Sequence, residues 1–521
     1  MTALHKKRLA ELSTLLSKNA NFSFIKRLYQ TFPQAQVYLV GGAIRDTLLD
    51  RETKDYDFLV RNVSTNKLEK FLKPLGKVNL VGRKFGVLKF VPTSTKETER
   101  FEPFDIALPR EEYTIDNTGH YRDFEIKTDP ALGVDVDLAR RDFTINALAW
   151  EVKTKTLYDP YGGYDDLCKK IIRAVGQADR RFAEDYSRML RAIRFACSIN
   201  FEIEQHTSRA LKKNASHLDD VLTATKKISA KHKAEEIRAV PFETITKELL
   251  GAFQQNPVQA FDLYDYYSLT GVLLPELLAM KQCPQPKNWH AEGDVWQHTH
   301  LSLEVLQSTA FKKECNTPPD IELILATLFH DIGKPYTLKT PKKHGVDRIR
   351  FDGHDRVGSE MTRKICERLR ISSSHQFPVD IDHVVWLVHH HLLLLNSVIE
   401  EMNNTTIEKY FFKDPEMGQK LLMLCYADAK GCKRKDGGST LTAYNAMKKR
   451  LKKFQKTAHA TRTLPAPILN GNEVMKILKL SEGKKVGDVL LLLREEQLSG
   501  KIRTKADAQK FIRTQKKFLT V

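Results

Sequence analysis

The segment Tyr38-Leu-Val-Gly-Gly-Ala-Ile-Arg-Asp46, followed closely by Lys54-Asp-Tyr-Asp-Phe-Leu-Val60, decides how the chain begins. An apolar run ends at Gly41-Gly42, where the absence of β-carbons lets backbone N–H groups approach a phosphate. A helix is expected to start near Ala43 and to add positive partial charge at the same place, with Arg45 and Asp46 in its first turn. Asp55 and Asp57 stand two apart in a strand-like run, and residues i and i+2 of a strand share a face, so their carboxylates converge. Converging carboxylates repel unless they bind a cation, and hard oxygen ligands suit Mg²⁺. Asp105, in Phe104-Asp-Ile-Ala107, offers a third carboxylate. A phosphate cradle beside paired carboxylates is the arrangement that two-metal phosphoryl transfer requires.

The rest of the chain is organised around this head. At 521 residues it is too long for one core and predicts roughly three to five domains. Strand-like runs at 36–40, 57–60, 87–91 and 148–152 mark a mixed α/β head, with 109–137 a polar excursion from its sheet. From Asp165 onward strand signals nearly vanish and helical periodicity takes over, as in 187–195 and 321–329. The helix-breaking runs Cys283-Pro-Gln-Pro-Lys287 and Thr463-Leu-Pro-Ala-Pro467 read as boundaries. The expected fold class is α+β. A mixed α/β head (1–155) precedes an all-α remainder: helical neck (156–215), helical body (216–285), a fourth domain (286–440) and basic tail (441–521).

Composition narrows the function classes. Lys and Arg number 84 against 65 Asp and Glu, a net charge of +19 that favours a polyanionic partner through counterion release. No run of about 18 apolar residues exists, so no membrane partner is expected. The first residues, MTALHKKRLAELSTLL, read as an amphipathic helix rather than a secretory signal. The seven cysteines form no CxxC pair and read as reduced thiols, which points to the cytoplasm. Lys501, Arg503, Lys505, Lys510, Arg513, Lys516 and Lys517 make the C-terminal helices a candidate contact for RNA backbone. Oligomeric state is not encoded in any pattern visible here.

Three further blocks follow the first in order: Arg140-Arg-Asp-Phe-Thr-Ile-Asn-Ala-Leu148, Asp159-Pro-Tyr-Gly-Gly-Tyr-Asp-Asp-Leu167 with Arg173, and Glu184-Asp-Tyr-Ser-Arg-Met-Leu-Arg-Ala-Ile-Arg-Phe195. Together the four blocks resemble the class II CCA-adding enzymes and their bacterial poly(A) polymerase relatives, within the DNA polymerase β nucleotidyltransferase superfamily. The resemblance covers residues 38 to 195. It implies a polymerase-β-like nucleotidyltransferase head over 1–155, an RNA-binding body over 216–285, Mg²⁺, the substrates CTP and ATP, and a tRNA 3′ end as acceptor. By the same resemblance, Arg141, Asp142 and Asn146 hold ribose and triphosphate, and Arg191 and Arg194 support the phosphates or the base-reading pair.

That pair can be read from chemistry alone. Asp185 and Arg188 are three apart and would share a helix face; a carboxylate accepts and a guanidinium donates. C and A present an amino donor beside a ring-nitrogen acceptor, so an Asp–Arg pair matches them and mismatches U and G. The family pattern carries Pro-Leu where this chain has Tyr186-Ser187.

A second constellation lies further along: His298 in Asp294-Val-Trp-Gln-His-Thr-His300, then His330-Asp331-Ile-Gly-Lys334, then Asp428. It resembles the HD phosphohydrolase superfamily, which implies a divalent metal held by His298, His330, Asp331 and Asp428. Imidazoles with carboxylates suit such an ion and water activation for phosphoester hydrolysis. His354 and either His389 or His390 would complete a binuclear site, leaving His391 as bystander. The leading expectation is CCA addition to tRNA. The alternatives are poly(A) synthesis or addition of CC or A alone, an HD phosphohydrolase with an RNA-binding head, and a non-catalytic RNA-binding protein.

Overall fold

Alternation along the strands sets the two faces of the head sheet. A computed structural model of the chain describes residues 1–81, 87–93, 103–114, 124–223, 236–395, 399–438, 440–457 and 464–515. Thr463, Lys516 and Lys517 lie outside these. The described residues divide into two compact units, Met1–Leu273 and Leu274–Val521.

The first unit is built on a seven-stranded sheet. Its members are β1 (Gln36–Val40), β2 (Asp57–Arg61), β3 (Gly76–Val81), β4 (Val87–Pro92) and β5 (Phe104–Ala107), joined by β8 (Ala149–Glu151) and β9 (Thr156–Tyr158). Their order is β3-β4-β5-β2-β1-β8-β9, and the β2–β5 pair is parallel among antiparallel neighbours, so the sheet is mixed. The polar excursion is a separate antiparallel hairpin of β6 (Arg110–Thr114) and β7 (Phe124–Thr128). On one face Phe58, Phe90 and Phe104 bury themselves with Phe22 and Phe24 from the N-terminal helical segment. On the other, Tyr38, Val40 and Leu59 pack with Val134, Leu138, Ala147 and Ala149. Period-two alternation therefore puts Asp57 on the face of Leu59, and Asp105 on the face of Ala107, away from the phenylalanine core.

Past the sheet the unit is helical, with two small exceptions that the sequence reading did not anticipate: Ile171–Ile172 pairs with Glu202–Ile203, and Val221–Thr223 with Glu236–Arg238. Such two- and three-residue pairings are too short to leave a periodic signal. The helix Ser187–Ile199 packs against Phe242–Gln255, with Met189, Leu190, Ala192 and Ile193 fully buried.

Among its described residues the second unit is helical apart from connecting segments and one isolated antiparallel bridge, Lys339 with Arg350. Five helices, Val295–Gln307, Ile321–Phe329, His354–Arg368, Ile381–His390 and Pro415–Gly431, enclose a common core. The first opens with a capping box between Asp294 and Gln297, which satisfies N–H groups a helix start leaves open. The division of the chain falls at Leu273, ahead of the proline run at 283–287, because Leu277, Met280 and Cys283 are buried and Glu276 pairs with Arg368 at 2.8 Å. The tail helices Gly471–Leu478, Lys484–Leu498 and Lys505–Gln515 share a core of their own, with Val474, Val489 and Ile512 at its centre.

Candidate functional site

In the head, β1 delivers the chain to Gly41, whose φ of 76° lies in the left-handed region. A β-carbon there would stand 2.6 Å from Nη1 of Arg141. Both constraints favour glycine. The helix Gly42–Leu48 follows at once, one residue from the expected start. Val40 is in register with Asp57, and Asp57 with Asp105 in the parallel pair, so the glycine turn and two carboxylates meet at one end of the sheet. Asp55 precedes β2 rather than belonging to it, yet it still raises the Asp57 carboxyl electrostatically. Burial is the larger cause, and together they push Asp57 up to about 7. Such crowding of carboxylates is what a hard cation relieves. Lys89, passed over in the sequence, reaches Asp105 at 2.8 Å from the neighbouring strand.

A cavity of about 670 Å³ opens beside these groups. Gly42, Arg45, Asp55, Asp57, Arg141, Asp142, Asn146, Asp185, Arg188, Arg191 and Arg194 all line it; Gly41 and Asp105, also expected at the site, are not among its lining residues. Arg45 donates to the Asn146 side-chain oxygen at 2.6 Å. The Asn146 amide in turn donates to Asp142 at 2.9 Å, and Arg191 pairs with the other Asp142 oxygen at 2.6 Å. Burial opposes ionisation of Asp142, but the Arg191 guanidinium and the Asn146 amide hold its carboxyl well below the usual range. The guanidiniums of Arg45, Arg191 and Arg194 gather over the Phe195 ring at 5.0, 5.5 and 4.4 Å. The cavity is thus a cationic chamber with carboxylates at one end.

The Asp185–Arg188 geometry differs from expectation. Asp185 is not helical: with φ −157° and ψ 102° it joins the helix Ala178–Glu184 to Ser187–Ile199. Its carboxylate accepts from the Ser187 N–H at 2.9 Å and makes no pair with Arg188. Arg188 instead bonds Glu184 at 2.9 Å and the carbonyls of Arg181 and Arg140 at 3.0 and 3.2 Å. The break between two helices, invisible to a periodicity argument, leaves both side chains on the cavity wall but positioned by different partners.

In the second unit each helix brings ligands to one point. His298 comes from Val295–Gln307, His330 and Asp331 from just past Ile321–Phe329, His354 from the start of its helix, and Asp428 from the last turn of Pro415–Gly431. Gly333 permits this convergence, since a β-carbon there would lie 2.2 Å from the His354 carbonyl oxygen. His391, the expected bystander, is the ring that faces inward: its Nε2 lies 3.3 Å from that of His354 and 3.7 Å from Asp331 Oδ1. His389 and His390 join no such cluster among the described residues. Three consecutive side chains on a helix point about 100° apart, so only one can reach the axis.

The arrangement fits divalent ions. His330, His354 and His391 each place Nδ1 within 2.6 to 2.7 Å of the carbonyl three residues earlier. A carbonyl only accepts, so the proton sits on Nδ1 and each Nε2 lone pair points into the centre. Lone pairs facing one another at 3.3 Å call for a cation between them. Burial and the facing rings of His354 and His330 push His391 down to about 3, keeping it neutral and able to ligate. Asp331 presents Oδ2 to His330 at 3.3 Å and Oδ1 to His354 at 3.4 Å, dividing the donors into two groups that share it. One group is His298, His330 and Asp428; the other is Asp331, His354 and His391.

Comparison with known proteins follows this division. Residues 37–173 match the poly A polymerase head domain, and residues 295–416 match the HD domain. A multifunctional CCA protein of Nitrosococcus oceani is 32% identical over 405 residues, covering 76% of this chain and 85% of that protein. The chain belongs to the multifunctional CCA protein family. Another member, from Pasteurella multocida, is 33% identical over 412 residues, covering 76% of this chain and 84% of its own. The fold of this CCA family member is that of the Bacillus stearothermophilus CCA-adding enzyme solved with CTP, at a TM-score of 0.61 and 18% identity over 100% of this chain and 99% of that one. The Thermotoga maritima CCA-adding enzyme solved with tRNA superposes at a TM-score of 0.56 and 19% identity, covering 98% and 97%.

Proposed function

We propose that this protein adds CCA to the 3′ end of tRNA from CTP and ATP, releasing pyrophosphate and using no nucleic-acid template. The observation that carries the reading is the cationic cavity closed at one end by Asp55 and Asp57. Asp55, Asp57 and Asp105 would hold Mg²⁺, which would supply charge neutralisation for phosphoryl transfer. Contrary to the expectation for both glycines, the Gly41 N–H is held by the Leu148 carbonyl at 3.2 Å; Gly42 gives its backbone N–H to the triphosphate, and Arg45, Arg141 and Arg191 balance its charge. Asp142 and Asn146 orient the arginines and the ribose. Asp185 and Arg188 present acceptor and donor to the base edge, and Arg194 braces the chamber through Glu248 at 2.5 Å. No helix among the described residues is long and apolar enough to cross a membrane.

The deciding experiment incubates the protein with Mg²⁺, single labelled nucleotides and tRNAs ending before, within or after CCA, resolved at single-nucleotide length. Two C additions, one A addition and arrest are expected. Long A tails would replace this reading with poly(A) synthesis.

Two substitutions probe the parts. Gly41→Ala forces a left-handed conformation on a residue with a β-carbon, costing about 1–3 kcal/mol and displacing Arg141. A fall of about tenfold in kcat/KM for CTP is expected in steady-state kinetics. Arg188→Ala removes the donor of the base-reading pair. Discrimination against UTP should drop by about 10- to 100-fold, matching the 1–3 kcal/mol of an unpaired buried polar group. Unchanged rejection of UTP would end the protein-template reading.

For the second unit we propose a binuclear centre: His298, His330 and Asp428 would hold one divalent ion, His354 and His391 another, with Asp331 offering an oxygen to each group. Ions bound there would supply Lewis acidity for hydrolysis of a phosphomonoester or 2′,3′-cyclic phosphate. Lys334 is buried beside the centre, 2.6 Å from Asp331 Oδ2 and 2.8 Å from the Gln285 side-chain oxygen, and holds the Asp331 carboxylate in place.

A further inference from the structure

Beside the HD centre lies a second, chemically different cluster. His290 Nδ1 is 2.7 Å and His298 Nδ1 3.1 Å from the same oxygen of Glu292. The Cys432 sulfur stands 3.8 Å from His290 Nδ1 and 3.9 Å from His298 Nδ1. All four donor atoms lie within 4.8 Å of one another. The side chains of His298 and Glu292 are 0% and 1% exposed and that of His290 15%. We propose that His290, Glu292, Cys432 and the Nδ1 of His298 form a distinct zinc site, linked to the HD centre through the His298 ring.

The donor set and its spacing both argue for zinc. Two imidazoles, a carboxylate and a thiolate are a tetrahedral zinc complement, and bond lengths of about 2.0–2.3 Å put ligand atoms roughly 3.3–3.8 Å apart. The nitrogen–sulfur separations of 3.8 and 3.9 Å stand at the long end of that range and need to close by a few tenths of an ångström. The two short contacts to Glu292 are hydrogen bonds that a modest shift would open to ligand spacing. The frame is held from behind: Ala291 N–H donates to the Lys433 carbonyl at 2.7 Å, and Lys433 N–H donates to the other Glu292 oxygen at 2.8 Å. That oxygen is thereby occupied and its partner left to face the cluster. Were Glu292 only a carboxylate that orients His298, neither Cys432 nor His290 would have a task in the arrangement. The HD centre itself is built from nitrogen and oxygen donors alone, so the thiolate makes the outer site softer and more selective for zinc. His298 gives Nε2 toward Asp428 at 3.0 Å and Nδ1 outward, and with both sites filled its ring protons leave to solvent.

Cobalt separates this site from its neighbour. Metal-free full-length protein is titrated with Co²⁺ and followed for the near-ultraviolet thiolate-to-cobalt charge-transfer band, which a nitrogen–oxygen centre cannot give. The band is expected to saturate at one equivalent, to vanish on adding Zn²⁺, and to be absent in Cys432→Ser. Elemental analysis should find one zinc fewer per chain in Cys432→Ser and in Glu292→Gln than in the parent, with circular dichroism reporting that each is folded. Cobalt binding without the band, or a band that survives Cys432→Ser, would overturn the proposal. Should Cys432→Ser not fold, the band in the parent protein and its loss in Glu292→Gln carry the same decision.

Discussion

Asp57→Ala is expected to cut nucleotide incorporation by about 10³-fold or more while leaving tRNA affinity within about twofold. The size follows from the several kcal/mol that metal-assisted charge neutralisation contributes to phosphoryl transfer. The selectivity follows from position: Asp57 lines the carboxylate end of the cavity, whereas RNA backbone affinity comes from neutralisation of phosphates by Lys and Arg, which this change leaves in place. The carboxyl also predicts a pH signature. Burial and the neighbouring Asp55 place it near 7, and only its charged form binds a cation. At limiting Mg²⁺, activity should therefore fall by roughly tenfold for each unit of acidification below 7, and saturating Mg²⁺ should restore it. Primer-extension rates at several Mg²⁺ concentrations between pH 6 and 8 test this. An active Asp57→Ala protein, or a flat profile at limiting Mg²⁺, would remove Asp57 from the metal site.

The second large effect is expected from Asp331→Ala. One oxygen faces the His298–His330–Asp428 group and the other faces His354 and His391, so a single truncation removes the bridge from both. Divalent-metal affinity of the centre should weaken by about 100-fold or more, and phosphohydrolase turnover should disappear with it. Incorporation of CTP by the head should persist, since that chemistry draws on residues of the first unit alone. Equilibrium dialysis with Mn²⁺ or Ni²⁺, paired with a phosphatase assay, provides the measurement. Loss of incorporation together with hydrolysis would mean that the two activities depend on one another.

What the sequence made legible is what short-range geometry dictates. Gly41-Gly42 before a helix, Asp57 in a strand and His330-Asp331 after an apolar helix each declare themselves because their chemistry needs neighbours only a few residues away. Asp105 was legible as a candidate because its own run is strand-like; that it stands in register with Asp57 is a property of the sheet. The Arg188 partner was not legible, because the helix break at Asp185 hands the pairing to Glu184. The choice among His389, His390 and His391 depends on how one helix is rotated in its bundle, which no local pattern reveals. His290, Glu292 and Cys432 come together across more than 130 residues, and only the folded chain brings them within reach.

The three imidazoles braced by their own backbone carbonyls carry a consequence for endurance. Each ring is fixed to the helix or turn it grows from, so fraying of any one of them pulls a ligand away, and a bound ion resists that fraying in return. A bound ion would work as a clasp across the bundle. At a hundredfold excess over its dissociation constant it would add about 2.7 kcal/mol to the folded state. The heat resistance of the second unit should thus rise and fall with metal supply, and calorimetry with and without chelator should move that transition while leaving the head's in place.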